Sequence, residues 1–368
     1  MTKKLLATVA VGVSVGMLAL LCATEKSAAA AERDLAQYFK GKSITVNVGS
    51  APGGGPDINS RLWAKFGQKH IPGNPRMIVK NMPGGGGARA LRTTFTAAPD
   101  GLTMANLAPR WPTLALLGDD TGIPNFKLET LLIIGSPVNV PVPRLVCSRS
   151  DVAKSWKEVL ALKKPLTFGS GEQGGTSNRP VELLQLIRGE KSPFRVVHGY
   201  DGIAESMAAF DRGEVNGLGN CSERDVPRLF PEWVKQRRFA PLFWWDGPSD
   251  PNYLEQLGVP PKELPHFLEL PGVELSKEQL TVFETANALG RFTRAMVLPP
   301  GVPGDIVRGL REAYRKTMQD QELIQAMETA GYEVGYGDPK NFRQIMDDTR
   351  TLSPQGKDLF RKLLGVQK

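Results

Sequence analysis

Two stretches of this chain alternate an apolar strand pattern, a glycine-rich turn and an amphipathic helix pattern, and that alternation limits the folds open to it. In the first stretch, Ile44, Val46 and Val48 alternate with polar residues at the period of a strand. The turn Gly49-Ser50-Ala51-Pro52-Gly53-Gly54-Gly55-Pro56-Asp57 follows, and then Ile58, Leu62, Trp63 and Phe66 recur at helical spacing. A second strand over 77–81, the turn Pro83-Gly84-Gly85-Gly86-Gly87, a helix over 88–97, the turn Pro99-Asp100-Gly101 and a strand over 102–107 complete the block. The later block has strands over 166–168, 194–197 and 215–218, helices over 181–187 and 203–210, and a glycine loop over 169–176. Strands joined through helices run parallel, so the expected class is α/β, with parallel-rich sheets flanked by helices.

Between the blocks the proline-rich segment 137–143, flanked by apolar strands at 131–134 and 144–147, marks a crossover between domains. Residues 241–275 are rich in proline and aromatics and read as a strand running into loops. A strand over 294–298, the turn Pro299-Pro300-Gly301-Val302-Pro303 and helices near 304–319, 321–330, 339–348 and 353–364 end the chain.

Lys3 and Lys4 precede an apolar run over 5–22 and the small residues Ser27-Ala28-Ala29-Ala30-Ala31. That order is a secretory signal peptide, with cleavage expected near Ala31 and export as the outcome. Leu21 stands before Cys22, where lipid attachment wants a small residue, so a lipoprotein is not expected. Cleavage removes three lysines and Glu25 and lowers the formal charge from +8 to +6. A mildly basic exported protein suits small acidic ligands or an anionic membrane surface. Its Lys and Arg are scattered, with Lys163-Lys164 and Arg237-Arg238 among a few adjacent pairs, so nucleic acid is not an expected partner. Cys147 and Cys221 survive cleavage; in an oxidising compartment they can pair, and two buried thiols are the alternative.

The first turn leaves backbone amides uncovered at the start of a helix, which suits a carboxylate or phosphate. Asp57 stands where an N-cap belongs and can bond those amides itself, which makes a capped turn without a ligand the competing reading. Gly169-Ser170-Gly171-Glu172-Gln173-Gly174 matches the dinucleotide fingerprint G-x-G-x-x-G after a strand. His198-Gly199-Tyr200 stands where an acidic ribose partner belongs, and Pro180 delays the helix, so the loop reads instead as a carboxylate cradle. Arg110 ends the third strand, at the sheet edge where open α/β folds bind ligands, with Trp111 beside it. His70, His198 and His266 lack acidic or cysteine neighbours at ligand spacing, and no nucleophile elbow or acid–base pair occurs. No metal, cofactor or catalytic residue is therefore expected.

These segments resemble the substrate-binding proteins of tripartite tricarboxylate transporters, the Bug or TctC family. The resemblance is carried by residues 44–61, where the family has a strand followed by A-G-G-x-x-D and R, and by 79–87, like its V-x-N-x-P-G-A-G-G. It continues through 98–103, like A-x-P-D-G-Y-T, then 168–176, 196–218 and 299–303. The first loop departs from the family by Pro52 before the glycines, and 241–293 fits poorly. The resemblance implies a two-lobe periplasmic binding protein, a flytrap with two crossovers: 1–31 signal peptide, 32–141 plus 294–368 the first lobe, 142–293 the second. It implies a monomer that captures a small organic anion and delivers it by hinge closure to integral membrane transporter subunits; a ligand-presenting sensor protein for two-component signalling is the alternative. Carried over, the ligand-binding residues are Ala51, Pro52, Gly53, Gly54 and Asp57 on one lobe, and Ser170, Gly171, Gly174, Gly175, Thr176 and Ser177 on the other; Arg110 joins the first group on its place at the strand end alone, where a surface arginine is the alternative.

Overall fold

The computed structural model describes residues 33–108, 110–118, 121–124, 126–127, 130–137, 143–170, 177–200, 203–223, 225–292, 294–332 and 334–365. They form two five-stranded sheets. The first has the order β2 (Arg76–Asn81), β1 (Ser43–Val48), β3 (Thr103–Leu107), β10 (Ala295–Leu298), β4 (Leu132–Gly135). The second has the order β7 (Phe194–His198), β6 (Leu166–Ser170), β8 (Gly217–Leu218), β5 (Pro143–Arg149), β9 (Phe239–Asp246). In each, the first three strands are parallel and the fourth in the row is antiparallel to both neighbours. The sheets are therefore parallel-rich and mixed, and they share one topology.

The predicted strands and the glycine turns of the first block recur at their expected places, but 241–293 holds more helix than its composition suggested. Helix Pro251–Gln256 is capped by Asp250, and helix Lys277–Arg291 opens on a reciprocal capping box between Ser276 and Gln279. Both obey ordinary start signals that the prolines and aromatics around them obscure.

One apolar cluster combines Ile44, Val46 and Val48 with Trp63, Met104, Leu298 and Tyr314 on one face of the first sheet. A larger one runs from Leu107 and Trp111 through the second sheet's Phe168 and Phe243 to Phe283, Phe342 and Phe360. Helices Pro339–Arg350 and Pro354–Leu363, which the expected division gives to the first lobe, pack on helix Lys277–Arg291. Burial of this kind stabilises by roughly 25 cal/mol per Å² of apolar surface, which is why the chain can tolerate so many polar turns.

Cys147 on β5 is disulfide-bonded to Cys221, just past β8, so the two cysteines pair rather than standing as free thiols. No helix among the described residues is long and apolar enough to cross a membrane. The expected signal peptide lies outside the described residues.

Candidate functional site

The first glycine turn leaves the C-terminal end of β1, and its chemistry begins with a buried acid. Helix Gly55–Gly67 starts earlier than the N-cap reading of Asp57 placed it: Gly54 is the N-cap, Pro56 fits the first turn, and Asp57 lies within the helix. The helix is thus positioned so that Asp57, 2% exposed, points inward. Its carboxylate accepts hydrogen bonds from the Gly53 amide (2.9 Å), Arg61 Nε (3.0 Å) and Asn81 Nδ2 (2.8 Å). Asn81 Nδ2 also reaches the Ser50 carbonyl (3.1 Å), and its Oδ1 accepts from Arg61 Nη2 (2.8 Å). Burial alone would raise the Asp57 pKa; the bonds from Arg61, Gly53 and Asn81 outweigh it and hold the carboxyl below its ordinary value. At neutral pH Asp57 is an anion that shapes the turn from beneath.

That arrangement decides which amides the turn can offer. Ala51, Pro52 and Gly53 are exposed and Gly54 is half-buried. The Gly53 amide is engaged by Asp57, and the Gly54 amide bonds the Ala51 carbonyl at 3.4 Å. Pro52 and Pro56 have no N–H to give. The next amide along the first helical turn is that of Gly55.

The neighbouring turns pack on this one. A Cβ on Gly49 would collide with the Gly87 backbone, and Gly87 itself has φ +90°, so two glycines let the first and second turns touch. Trp111 Nε1 donates to the Gly86 carbonyl at 3.0 Å and the ring is buried, so Trp111 braces the second turn. Arg110 begins helix Arg110–Leu116 at the predicted sheet edge, and its side chain lies outside the described residues.

At the second sheet, Gly171, Gly174, Gly175 and Thr176 lie outside the described residues, while both ends of their loop are described. Ser170 is the buried last residue of β6, and its carbonyl accepts from the Gly199 (3.0 Å) and Tyr200 (3.1 Å) amides. Ser177 is half-buried, and Asn178 after it donates to the Gly169 carbonyl at 3.0 Å, closing the loop at its base. Arg179 opens helix Arg179–Arg188 as a buried cation, bonded to the Ala286 carbonyl and to Asn287 Oδ1 (3.3 Å). Burial first, and then the nearby Arg144, push its pKa down to about 10. The second loop is thereby tied to helix Lys277–Arg291, which leads back to β10.

One residue that sequence reasoning did not single out enters the first sheet's edge. Ala295 pairs with Leu107, so Arg294 stands level with the end of β3, beside the turns after β1 and β3. The sequence signal was slight: a cation directly before an apolar strand.

Comparison with known proteins accords with this architecture. No family model matches the chain. It is 26% identical to the UPF0065 protein in the gbd 5' region of Cupriavidus necator over 322 residues, 85% of this chain and 86% of that protein. It is 28% identical to a UPF0065 protein of Bordetella pertussis over 322 residues, 81% and 83% of the two chains. Among solved structures, a TctC solute-binding protein from Polaromonas superposes with a TM-score of 0.58 at 21% identity, over 88% of this chain and 99% of that one. The chain is similar in sequence to UPF0065 proteins over more than four fifths of its length. The periplasmic binding protein BugD matches with a TM-score of 0.58 at 19% identity, over 90% and 100% of the two chains. MatC from Rhodopseudomonas palustris, solved with bound malate, matches with a TM-score of 0.57 at 17% identity, over 88% and 100%. The homologues share the two-sheet periplasmic binding protein fold, so the resemblance read from the glycine turns holds for the fold.

Proposed function

We propose that this protein is an exported, non-catalytic solute-binding protein. It captures a small organic anion, a carboxylate, between the glycine turns that follow β1 and β6, and delivers it to a membrane transporter by hinge closure. The observation that supports the reading most directly is the first turn itself. It is exposed, carries no bulky side chain, and is held in one shape by the buried Asp57–Asn81–Arg61 network. A turn that merely caps a helix has no need of three groups beneath it fixing where its backbone points. In the second sheet β6 is likewise followed along the chain by a helix, Arg179–Arg188, and the bound malate of MatC is a ligand of the proposed class. Ala51, Pro52, Gly53, Gly54, Asp57 and Arg110 form the first wall in this reading; Ser170, Gly171, Gly174, Gly175, Thr176 and Ser177 form the second. Pro52 and Asp57 act there as shaping residues rather than donors.

Closure needs a ligand that interacts better with the closed state, because only differential affinity moves the population. The test is a thermal-shift and calorimetric panel of mono-, di- and tricarboxylates against the mature protein, followed by small-angle scattering with the best binder. A ligand specific for the native state raises the melting temperature, by about 2.7 kcal/mol of added stability at one hundred times its Kd. Scattering should report a smaller radius of gyration. A panel without any shift would overturn the carboxylate reading.

A further inference from the structure

We propose that Arg179 is the positioning residue that carries ligand capture at the second glycine loop to helix Lys277–Arg291, and through that helix to the first glycine turn. The inference rests on the anion-capture reading above and adds to it the connection that makes the two walls respond together.

Arg179 is a cation in a place that its own helix does not favour. It opens helix Arg179–Arg188 and is 3% exposed. A positive charge in a first helical turn opposes the helix dipole, and burying it adds a desolvation cost. Its Nε meets no hydrogen-bond partner among the described residues, so that cost is not fully offset. The side chain instead crosses to another element. Nη1 donates to the Ala286 carbonyl and, at 3.3 Å, to Asn287 Oδ1, both on helix Lys277–Arg291. Glu182 and Asp246 favour the buried charge and Arg144 opposes it, so the cation is held where several segments meet.

On the loop side the tie is short. Asn178, the residue before Arg179, donates to the Gly169 carbonyl at 3.0 Å and holds the end of the loop to the end of β6. On the far side, helix Lys277–Arg291 is fixed to the first sheet. It packs on helix Pro339–Arg350, which packs in turn on β4 and on helix Arg110–Leu116. Glu278 Oε1 accepts from the Gly356 amide at 3.0 Å, which pins helix Pro354–Leu363 to it as well. Beyond its C-terminal end, the Arg294 carbonyl accepts from Asn106 Nδ2 at 3.4 Å, and Asn106 Nδ2 also reaches Ser60 Oγ at 3.4 Å. Ser60 donates to the Pro56 carbonyl at 2.7 Å, at the end of the first turn. A polar chain therefore runs from the base of the second loop to the first turn, and Arg179 is its link to the helix that leads between the sheets. Contact by itself is not coupling, which shows only when removing one link changes what another is worth.

The experiment measures melting temperature, calorimetric affinity and ligand-induced change in radius of gyration of the mature protein with each acid of the carboxylate panel, malate, succinate and citrate included. Arg179→Met is expected to weaken binding about 5- to 150-fold, the usual span of a coupling between sites, and to shrink the contraction on binding. Arg179→Lys keeps the charge without the planar fork and falls between. Asn287→Ala removes an acceptor of the same tie without touching a charge, is expected to act in the same direction, and carries the test where Arg179→Met folds poorly. Arg311→Met is the control: its half-buried guanidinium bonds the Ile133 carbonyl at 2.8 Å on the far strand of the first sheet, so its loss should lower the melting temperature and leave affinity and contraction as in the wild type. Combined with Ser60→Ala, Arg179→Met should be non-additive in affinity, the second loss being smaller once the first link is gone. An Arg179→Met protein with a lowered melting temperature but wild-type affinity and contraction, or strictly additive losses with Ser60→Ala, overturns this inference and leaves the anion-capture reading standing. A wild type that binds no acid of the panel overturns both.

Discussion

The buried carboxylate of Asp57 accepts a 2.8 Å hydrogen bond from the Asn81 side chain, joining the start of helix Gly55–Gly67 to the end of β2. Through Asn81 Nδ2 and the Ser50 carbonyl the same contact reaches the turn above, so one acid organises three segments. Replacing it leaves the Gly53 amide and Asn81 without their acceptor. Asp57→Ala should destabilise by about 1–3 kcal/mol, the usual penalty for stranding buried polar partners, as read from urea unfolding at neutral pH. Because the folded-state pKa is depressed, Asp57 stabilises fully above its ordinary value of 3.8, and that stability is lost as pH falls through the lower folded value. The variant should therefore differ from wild type at pH 7 and converge on it in strong acid. An undiminished difference at pH 2 would argue against the ionised network.

A second acid works at the other side of helix Gly55–Gly67. Asp320 N-caps helix Gln321–Thr329 through the Glu322 amide and receives Lys69 Nζ at 2.8 Å and His70 Nε2 at 2.7 Å. Burial opposes its ionisation, but Lys69, His70 and the Glu322 amide prevail and lower its pKa to about 2. Its contribution is present above 3.8 and lost between that value and about 2. Asp320→Ala should cost about 1 kcal/mol for the cap alone. Asp320→Asn keeps a capping oxygen but not the charge, so it should be the milder variant at pH 7 and should flatten the acid limb of the stability profile. Both variants lack the titrating carboxyl and flatten that limb, so denaturation midpoints at pH 7 rank the two and midpoints between pH 2 and pH 5 check the flattening against wild type.

The disulfide constrains a long loop. Cys147 and Cys221 are separated by 74 positions, and closing a loop of that size in the unfolded chain is worth about 4 kcal/mol in the chain-entropy account. The paired Cys147→Ser, Cys221→Ser variant should lower the melting temperature markedly, and reductant should do the same to the wild type under unfolding conditions. The bond ties β5 to the segment after β8, inside the second sheet, so binding at the turns should change little wherever the variant is folded. A stable variant with a lost ligand response would show that the crosslink shapes the site.

Much of this architecture was legible because its signals are local. Ile44, Val46 and Val48 alternate, Gly53 to Gly55 interrupt, and the parallel pairing of β1 with β2 and β3 follows from helices carrying the chain back. The antiparallel entry of β10 beside β3 depends on a strand nearly two hundred residues away, and no local pattern encodes it. Helix Lys277–Arg291 was hidden for a different reason: its buried Val282, Phe283, Ala286 and Leu289 form a short apolar stripe among polar residues, and only the Ser276–Gln279 box marks its start. Asp57 was recognised as bonding the turn, but its place was misread because Gly54 supplies the cap from extended backbone and Pro56 already fits inside the helix. The placement of Arg294 comes from a register and a ring contact, both tertiary facts.

Gly49 is where the first and second turns meet. The Gly87 backbone occupies the position that a Cβ on Gly49 would need, and neither neighbour is a flexible side chain that can swing aside. Gly49→Ala must therefore part the turns, at a cost of about 1–3 kcal/mol typical of overpacking. Gly53→Ala meets no atom within 4 Å but carries the strain of φ +82°. The two variants distinguish close approach from backbone strain: Gly49→Ala should weaken both stability and binding, whereas Gly53→Ala should cost about 1 kcal/mol through its backbone alone. Equal effects from both on melting temperature and affinity would mean that the turns are not in contact in solution.

The left-handed backbone of Arg294 sets its strain against the contacts of its side chain. An L-residue at φ +73° carries roughly 1–2 kcal/mol of strain that glycine does not. Arg294→Ala keeps that strain and loses the stack on Tyr332, a contact worth about 0.5–1 kcal/mol at a partly exposed site. Arg294→Gly loses the same stack but relieves the strain, offset in part by about 0.4–1 kcal/mol of extra unfolded-state entropy. The glycine variant should therefore be more stable than the alanine variant by about 1 kcal/mol. Urea unfolding of the two variants checks the difference. If alanine is the more stable, the backbone at 294 relaxes to an ordinary conformation, and the strained placement that aims the guanidinium over Gly55 is not maintained in solution.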